Sequence, residues 1–435
     1  MNKTINIVLA ALVAIILLAG AFSGGFIAAH LIPSTGPVPL LRDLIPSSPT
    51  AAPDQQSATP AELETLFKPF WEAWNIVHTQ FVDQPVDDLK LMQGAIRGMM
   101  DALGDEQTFY MDPEVYETER LSLQGQYEGI GAFVDLEGEY LTIVSPIAGS
   151  PAEQAGLHPG DKVIAIDGED MTGVPPEEAR LKVLGPEGTD VTLTVSREGE
   201  PEPLEFVITR ARITIRSAEG EMLENDIAYV DINTFGDRTT QELRATLNNL
   251  MRQNPSGIII DLRNNPGGYL NTAIEVTSEF IEDGVIMYEQ YGDGRRDQYD
   301  ASGNGQATDL PIVVLINEGS ASASEILAGA LQDYELATLI GEQSYGKGSV
   351  QIRQPLSNDQ GAASVTIAKW LTPKERAIDK VGLTPDVFVE MTPEDFEADQ
   401  DPQLDAAVET LLAIINGNPI PTSMPTPVLT PTSSP

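Results

Sequence analysis

The second half of the chain alternates apolar runs of strand length with stretches of helical periodicity. This alternation predicts strands connected by helices, and therefore an α/β core at residues 213–395. The predicted strands are Ile227–Phe235, Gly257–Leu262, Ile312–Asn317, Ala337–Gly341 and Ser364–Leu371. The predicted helices lie near Thr240–Arg252 and Ser324–Tyr334, and a further C-terminal helix is expected at 396–415.

Residues 121–212 have a different pattern, in which short β-rich runs are separated by turn signals. The runs are Leu141–Val144, Lys162–Ile166 and Val191–Val195, and Pro159-Gly160-Asp161 is one of the turns between them. This segment predicts a small β-rich domain.

Residues 61–120 predict helices. Apolar side chains recur at helical spacing at Leu66, Phe70, Trp74 and Val77, and again at Leu91, Ile96, Met99 and Leu103. Stripes of methionine and aromatic residues usually belong to a core, so we expect these side chains to be buried.

The N-terminal segment 1–32 is apolar from Ile7 to Ile32. As a helix it is long enough to cross a hydrocarbon core of roughly 30 Å. A signal peptide cut after Ala21 is the alternative, but the apolar run continues past Ala21, and this length favours a signal anchor. Both interpretations place the remaining chain outside the cytoplasm, and the anchor would hold it at the plasma membrane.

Two flanking segments predict no packed structure. Residues 33–60 are rich in proline with Ser, Thr, Ala and Gln, which is typical of a spacer. Residues 416–435 carry no charge and many prolines, so we expect a disordered tail.

Composition excludes several classes of function. The formal net charge of −41 makes nucleic-acid binding unfavourable, because such a surface repels phosphate backbones. The sequence has no cysteine, so disulfides, thiolate nucleophiles and Cys-ligated zinc are excluded. Its three histidines, His30, His78 and His158, are scattered and offer little to a metal site.

The first candidate for chemistry is Ser322. The segment Asn317–Glu325 consists mainly of small residues between a buried strand and a helix. A helix N-terminus offers unpaired N–H groups that can stabilise an oxyanion, so a serine here is well sited as a nucleophile. The structural alternative is a capping box formed by Ser322 and Glu325, and the two roles can coexist.

A serine nucleophile needs a base, and the predicted α/β core has no histidine unless His78 reaches across domains. Lys347, between Gly346 and Gly348, is the alternative base. Its pKa would have to fall from about 10.4 to roughly 7–8, which burial away from charge can achieve. A solvated turn lysine is the simpler interpretation. A phosphate-binding loop at 341–347 is disfavoured, because Gly348 and a predicted strand follow where Ser or Thr and a helix are needed.

Asp261–Gly268 is the third candidate. Gly267 and Gly268 follow a buried strand, where paired glycines permit unusual backbone angles and close approach of a substrate. They could present an N–H as an oxyanion donor. An ordinary Asn-Pro-Gly-Gly turn is the alternative.

Taken together, these motifs resemble the carboxyl-terminal processing (tail-specific) proteases over roughly Glu62 to Glu390. The most specific parts are Gly319–Glu325 and Tyr345–Gln351. The resemblance implies an α/β serine protease core with an inserted PDZ domain and a helical N-terminal region. It also implies which residues are catalytic and which donate to the oxyanion, and a reaction that needs no metal or organic cofactor. The nucleophile would be Ser322, the base Lys347, and Gln351 would hold that lysine, while N–H groups at Ala323 and at Gly267 or Gly268 would hold the oxyanion.

The β-rich domain resembles a PDZ domain. Gly129, Ile130, Gly131 and Ala132 stand where PDZ domains keep their carboxylate-binding loop, and a helix at Pro176–Val183 would form the other wall of the groove. This implies recruitment of protein substrates with apolar or unstructured C-termini, the peptide adding as a strand. One departure is Gly104–Tyr110, where the family has Asp-Pro-His-Ser/Thr before an aromatic residue.

Two other functions stay open at this point. One is a catalytically inactive PDZ protein that binds C-termini, although the joint presence of Ser322, Lys347 and Gln351 disfavours it. The other is a carrier of small apolar molecules on the same scaffold. The oligomeric state and the need for a partner protein also stay open: the sequence permits a homo-oligomer or an activating partner.

Overall fold

The structure is a computed structural model that describes residues 60–420, except 137, 393–394, 396–397 and 399. The predicted anchor, nearly all of the Pro-rich spacer, and the tail beyond residue 420 lie outside the described residues. No helix within the described residues is both long and apolar enough to cross a membrane.

The N-terminal region contains helices α1 (Pro60–Gln80), α2 (Asp88–Asp101) and α3 (Pro113–Leu123). Aspartates cap two of them: Asp87 accepts from two N–H groups at the start of α2, and Asp112 accepts from one in α3. A short strand, β1 (Phe109–Met111), interrupts the region and was not predicted.

The expected burial of the two apolar stripes is wrong. Leu66, Met99 and Leu103 are 69%, 57% and 66% exposed, and α2 has no buried residue. Periodicity identifies the apolar face of a helix, but it does not say whether the same chain supplies a surface to cover that face.

Next come the strands and helices of the β-rich domain. The strands are β2 (Gln126–Gly129), β3 (Ala132–Asp135), β4 (Thr142–Pro146), β5 (Lys162–Ile166), β6 (Glu169–Asp170), β7 (Asp190–Ser196), β8 (Leu204–Thr209) and β9 (Ala211–Thr214). The helices are α4 (Pro151–Ala155) and α5 (Pro176–Val183). The main sheet has the order β3-β4-β5-β7-β8, which leaves β3 at an edge, and β2 pairs with β9. Alternate residues of β7 (Val191, Leu193 and Val195) are fully buried in its core.

The α/β core follows from Ala218. Its strands are β10 (Ala218–Leu223), β11 (Ile227–Ile232), β12 (Gly257–Asp261), β13 (Val285–Tyr291), β14 (Arg296–Asp300), β15 (Ile312–Ile316), β16 (Ala337–Gly341), β17 (Ser349–Pro355), β18 (Ala362–Leu371) and β19 (Val387–Phe388). Its helices are α6 (Thr239–Met251), α7 (Leu270–Thr277), α8 (Ala323–Asp333) and α9 (Pro402–Ile415). Short 3₁₀ turns lie at Glu224–Asp226 and Ser357–Asp359.

The central sheet has the order β10-β11-β12-β15-β16-β19, and its strands from β11 onward are parallel. All residues of β12 and β15 are buried, as expected for strands covered by helices on both faces. The loops that leave the carboxyl ends of these two neighbouring strands therefore meet at one edge of the sheet.

A second, antiparallel sheet has the order β1-β18-β13-β14, with β17 also paired to β18. The β13–β14 hairpin was not predicted, because β14 lies at the edge of this sheet and carries mostly polar side chains. The predicted α/β architecture with a β-rich domain and a helical N-terminal region is confirmed.

Candidate active site

The loops after β12 and β15 are joined by two asparagines. The backbone N–H of Asn264 donates to Asn317 Oδ1 at 2.8 Å, and Asn317 Nδ2 donates to Asn264 Oδ1 at 2.9 Å. These reciprocal hydrogen bonds fix one loop against the other.

Asn265 is fully buried and extends this connection. Its side chain donates to the carbonyl of Ile232 and accepts the N–H of Gly267 at 2.9 Å. Its own carbonyl accepts from the N–H of Ala321 at 3.0 Å and from Ser324 Oγ at 2.9 Å. One buried amide therefore positions the glycine loop against the turn that carries the candidate nucleophile.

The two glycines are required by close packing as well as by backbone angle. Gly267 has φ +98°, and a Cβ there would lie 2.7 Å from the carbonyl oxygen of Ala321 and 2.8 Å from the nitrogen of Ala323. A Cβ on Gly268 would lie 2.3 Å from the carbonyl oxygen of Phe235. Only glycine allows this loop to contact the helix start so closely.

Ser322 lies at the turn between β15 and α8 with φ +54° and ψ −111°. This backbone conformation is uncommon and strained for a residue with a side chain. A strained serine between a strand and a helix is the arrangement that exposes the nucleophile in α/β-hydrolases. Ala323 follows as the first helical residue, and its N–H has no acceptor among the described residues.

Glu325 links the serine turn to the lysine segment. Its Oε2 accepts the N–H of Ser322 at 2.8 Å and that of Lys347 at 2.9 Å, while its Oε1 accepts Ser344 Oγ at 2.6 Å and the N–H of Gly346 at 2.7 Å. Burial raises the pKa of this fully buried carboxyl, and these hydrogen bonds oppose that shift. The glutamate contact of the expected capping box is thus present, and the same carboxylate also binds the lysine segment.

The segment around Lys347 is packed tightly on both sides of the lysine. A Cβ on Gly346 would lie 2.7 Å from the nitrogen of Gly382, and one on Gly348 would lie 2.5 Å from the nitrogen of Asp379. The buried indole of Trp370 donates to the carbonyl of Lys347 at 2.9 Å. The lysine backbone is therefore held from three directions.

The Lys347 side chain is half-buried, and its ammonium makes no hydrogen bond or ion pair with any residue that the structure describes. Burial lowers the pKa of Lys347, and the nearby Arg353 guanidinium lowers it further, while Glu119 and Glu325 act in the opposite direction. This environment differs from that of a solvated turn lysine.

A cavity of about 230 Å³ brings the predicted residues together. The predicted residues that line it are Ser322, Lys347, Gln351, Gly267, Gly268 and Ala323. These residues come from three separate segments of the chain.

Hydrogen bonds already present in the structure limit the roles expected for Gly267 and Gln351. The N–H of Gly267 already donates to Asn265, whereas that of Gly268 has no acceptor among the described residues. Gln351 Nε2 donates to Ser349 Oγ at 2.8 Å and to Thr366 Oγ1 at 3.2 Å. Within the described part of the chain, no hydrogen bond joins Gln351 to the lysine.

A histidine base and a phosphate-binding loop do not fit this geometry. His78 hydrogen-bonds to Asp88 at 2.6 Å and to the carbonyl of Trp74, and it does not line the cavity. The residues after Lys347 form strand β17, so the helix that a phosphate-binding loop needs is not there. Within residues 60–420 as described, no group of three or more acidic or histidine side chains is arranged to hold a metal ion.

An ion pair that the sequence did not predict lines the same cavity. Arg353 from β17 donates to Glu119 from α3, with Nε 2.9 Å from Oε1. The two residues lie far apart in the sequence, and no local pattern connects them.

The expected peptide groove of the β-rich domain is a separate cavity of about 420 Å³ with a mainly apolar lining. Ile130, Gly131 and Ala132 line it, and Val183 of α5 forms part of the opposite wall. Gly129 does not line the cavity, but a Cβ there would be 3.1 Å from the side chain of Leu184, which does line it.

A cluster of charged residues lies on the face of the central sheet that packs against α9. Arg263 pairs with Asp261 at 2.6 Å and with Asp401 at 2.9 Å. Burial, together with the neighbouring Asp261 carboxylate, raises the pKa of Asp231 to about 6. No sequence motif indicated this cluster.

Comparisons with known families agree with this architecture. A family model described as Peptidase family S41 matches residues 226–389, and one described as PDZ domain matches 142–197. A third, described as the N-terminal domain of the activating protease CtpB, matches 44–115. The chain is therefore a serine-type peptidase, a hydrolase with a PDZ domain.

Individual relatives identify the family. The chain is 40% identical over 329 residues to the carboxy-terminal-processing protease of Bartonella bacilliformis, which covers 74% of each chain. It is 35% identical over 355 residues to the carboxy-terminal processing protease CtpB of Bacillus subtilis, covering 80% of this chain and 73% of that one. The fold is also similar to a Bacteroides fragilis crystal structure assigned to the S41 proteases, with a TM-score of 0.53, 15% identity, and 85% and 99% of the two chains covered. The chain belongs to the carboxyl-terminal processing protease family, and the resemblance inferred from its motifs is confirmed.

Proposed function

We propose that this chain hydrolyses peptide bonds near the C-termini of proteins through a Ser322–Lys347 dyad. The observation that carries the proposal is the shared cavity, which is lined both by a strained serine at a helix start and by a half-buried lysine that has no partner among the described residues. A base must be neutral to accept a proton, and burial favours the neutral form of lysine.

The reaction proceeds through an acyl-enzyme. Neutral Lys347 takes the proton of Ser322 Oγ as that oxygen attacks the scissile carbonyl. The N–H groups of Ala323 and Gly268 stabilise the oxyanion that forms, since neither has an acceptor within the described residues. Protonated Lys347 then gives the proton to the leaving amine, and water attacks the ester with the same lysine as base.

Gln351 orients the lysine in this scheme. Its amide nitrogen is fixed by Ser349 and Thr366, which leaves its carbonyl oxygen as an acceptor in the cavity. A catalytic ammonium that forms during the reaction can donate to that oxygen.

The PDZ domain recruits the substrate C-terminus. Because β3 lies at the edge of its sheet, a peptide can add there as a further strand. Its terminal carboxylate would be held by backbone N–H groups at Ile130, Gly131 and Ala132, in the loop that begins with Gly129. Its last side chain would enter the apolar groove of about 420 Å³.

The protein acts outside the cytoplasm in this proposal, held at the membrane by its N-terminal segment. The apolar run from Ile7 to Ile32 supports this location. A reporter that is active only after export, fused after residue 60, would test the location, and an inactive reporter in cells that make the fusion protein would contradict it.

A cleavage assay tests the proposed chemistry. The full-length protein is incubated with an unfolded polypeptide ending in apolar residues, and products are identified by mass spectrometry. We expect Ser322→Ala and Lys347→Ala to abolish cleavage, while Lys374→Ala, a change at an exposed lysine, leaves it intact. A C-terminal amide on the same substrate should slow cleavage if the carboxylate is recognised. Cleavage that survives both active-site substitutions would refute the dyad, and wild type that binds the C-terminus without cleaving would indicate a receptor instead.

A further inference from the structure

The ion pair between Glu119 and Arg353 lies inside the proposed catalytic cavity. Arg353 is two residues beyond Gln351 on β17, so the alternation of a strand places both side chains on the same face. Arg353 donates hydrogen bonds to Glu119 from two nitrogens, and both bonds go to the same oxygen, Oε1. The pair thus connects helix α3 of the N-terminal region to the strand that follows Lys347.

The geometry of this pair is poor for a contact that only stabilises the fold. An arginine and a carboxylate pair best through two parallel hydrogen bonds that use both oxygens. Here the second oxygen, Glu119 Oε2, is buried and has no hydrogen-bond partner in the part of the chain that the structure describes. A pair that uses one carboxylate oxygen gives up part of the stabilisation that a two-oxygen pair provides, so stabilisation of the fold does not by itself account for it, and both residues line the cavity.

Among the described residues, few other charged groups lie near Lys347. Tyr269 also lines the cavity, but burial raises its pKa, so it is uncharged near neutral pH. Glu325 accepts hydrogen bonds from four donors, and Asp379, next to Gly348, is paired with Lys369 at 2.7 Å. Within the described residues, burial lowers the pKa of Lys347, the Arg353 guanidinium lowers it further, and the Glu119 and Glu325 carboxylates oppose this. Of these, Arg353 is the cation, and it disfavours a second positive charge close by.

We propose that Arg353 is a positioning residue that keeps the proposed base Lys347 neutral, and that Glu119 holds Arg353 in place while limiting its effect. This inference rests on the proposed function, because it assigns a role to the pair in the reaction of that site. Neither residue touches the scissile bond in this account.

Arg353 and Glu119 change the protonation of Lys347 in opposite directions, and this distinguishes the proposed role from a merely structural one. Removing the Arg353 cation should favour the ammonium form, so the rise of activity with pH should move to higher pH. Glu119→Gln removes the anion but keeps an oxygen that can accept from Arg353, so it should favour the neutral amine, and the same rise should move to lower pH. Loss of a merely structural contact would move both variants alike or move neither.

The experiment measures kcat/KM against pH for the full-length wild type, Arg353→Gln and Glu119→Gln. We expect the acid limb to rise by about half a unit to one unit in Arg353→Gln and to fall by a similar amount in Glu119→Gln. Arg353→Lys, which keeps the charge, should stay near wild type. The matched control is Arg296→Gln, which breaks an exposed Arg296–Glu375 pair outside the cavity and should not move the limb.

A second readout does not depend on activity. In a Ser322→Ala background, acetic anhydride modifies neutral lysines, and mass spectrometry of Lys347 across pH reports its titration directly. Opposite shifts in the two variants support the proposal. Shifts of the same sign, or no shift in either variant, would overturn it. This readout holds even if no cleavage is detected, because it does not depend on activity. If the wild type does not cleave, but the two variants still shift the Lys347 titration in opposite directions, the proposed peptidase function fails while this inference stands.

Discussion

Replacing Glu325 with glutamine tests whether one buried carboxylate holds the serine turn and the lysine segment together. Oε1 accepts from Ser344 Oγ and the N–H of Gly346, and Oε2 accepts from the N–H groups of Ser322 and Lys347. Glutamine has nearly the same shape, but one of its two oxygens becomes an amide nitrogen that can only donate.

The magnitude follows from counting the donors that lose an acceptor. If the nitrogen replaces Oε1, the Ser344 hydroxyl can turn to accept, but the N–H of Gly346 is left unpaired. If it replaces Oε2, the N–H groups of Ser322 and Lys347 are both left unpaired. One such donor costs about 1–3 kcal/mol, and the surviving hydrogen bonds lose roughly 1 kcal/mol as the acceptor becomes neutral. We expect Glu325→Gln to lower the free energy of unfolding by about 2–4 kcal/mol.

Catalysis should fall as well, because the same hydrogen bonds set the backbone of both reacting residues. A displacement on the order of 1 Å costs about 100-fold, so kcat/KM should fall by one to two orders of magnitude. Denaturant unfolding and peptide cleavage measure the two effects, with Glu318→Gln, a change at an exposed residue of the same loop, as the matched control. A variant within 1 kcal/mol of wild type and equally active would refute the role assigned to Glu325.

Three further predictions follow from close contacts and charge. Gly267→Ala should abolish cleavage and lower the unfolding free energy by about 1–3 kcal/mol, since its Cβ would clash with two backbone atoms at φ +98°. Calorimetry and the cleavage assay check this. Gly131→Ala, whose Cβ would lie 2.5 Å from Ser150 Cβ, should weaken cleavage of protein substrates but not of short peptides that bypass the groove. Asp231→Asn tests a pH dependence. Because the raised pKa of Asp231, about 6, lets the folded state keep a proton that the unfolded chain has lost, wild-type stability falls as pH rises from 4 to 6. The variant should therefore be more stable at pH 7 by about 1 kcal/mol and equal to wild type below pH 4, which unfolding at both pH values measures.

Much of the candidate site could be predicted because its residues lie in short, unusual segments. Ser322 stands in a run of small residues between a buried strand and a helix, and Lys347 stands between two glycines. Both features reflect local backbone demands, which are visible in a window of a few residues. The close contacts of Gly267 and Gly348 give the physical reason for these glycines.

The supporting residues could not be predicted in the same way. Glu119 and Arg353 meet only because α3 and β17 come together, although 234 positions separate them. Asn265 acts through one carbonyl and one amide on three different segments. Such contacts depend on how elements pack, and a local pattern carries no signal of them.

The fold was predicted best where burial is complete and worst at exposed edges. The parallel strands β12 and β15 are buried throughout, so their apolar runs stand out. Strand β14 is half exposed and mostly polar, so it has no such run. The apolar stripes of α1 and α2 were recognised correctly as features, but the burial inferred from them was wrong.

The central claim is that Ser322 is activated by a lysine that is neutral near physiological pH. The most direct measurement is the rate at which a fluorophosphonate labels Ser322 in the full-length protein as a function of pH, with the adduct located by mass spectrometry. We predict a rate that rises with a single ionisation well below the value of about 10.4 for an ordinary lysine, and that is lost in Lys347→Ala. Labelling of another residue, or a rate that is unchanged in Lys347→Ala, would contradict the account.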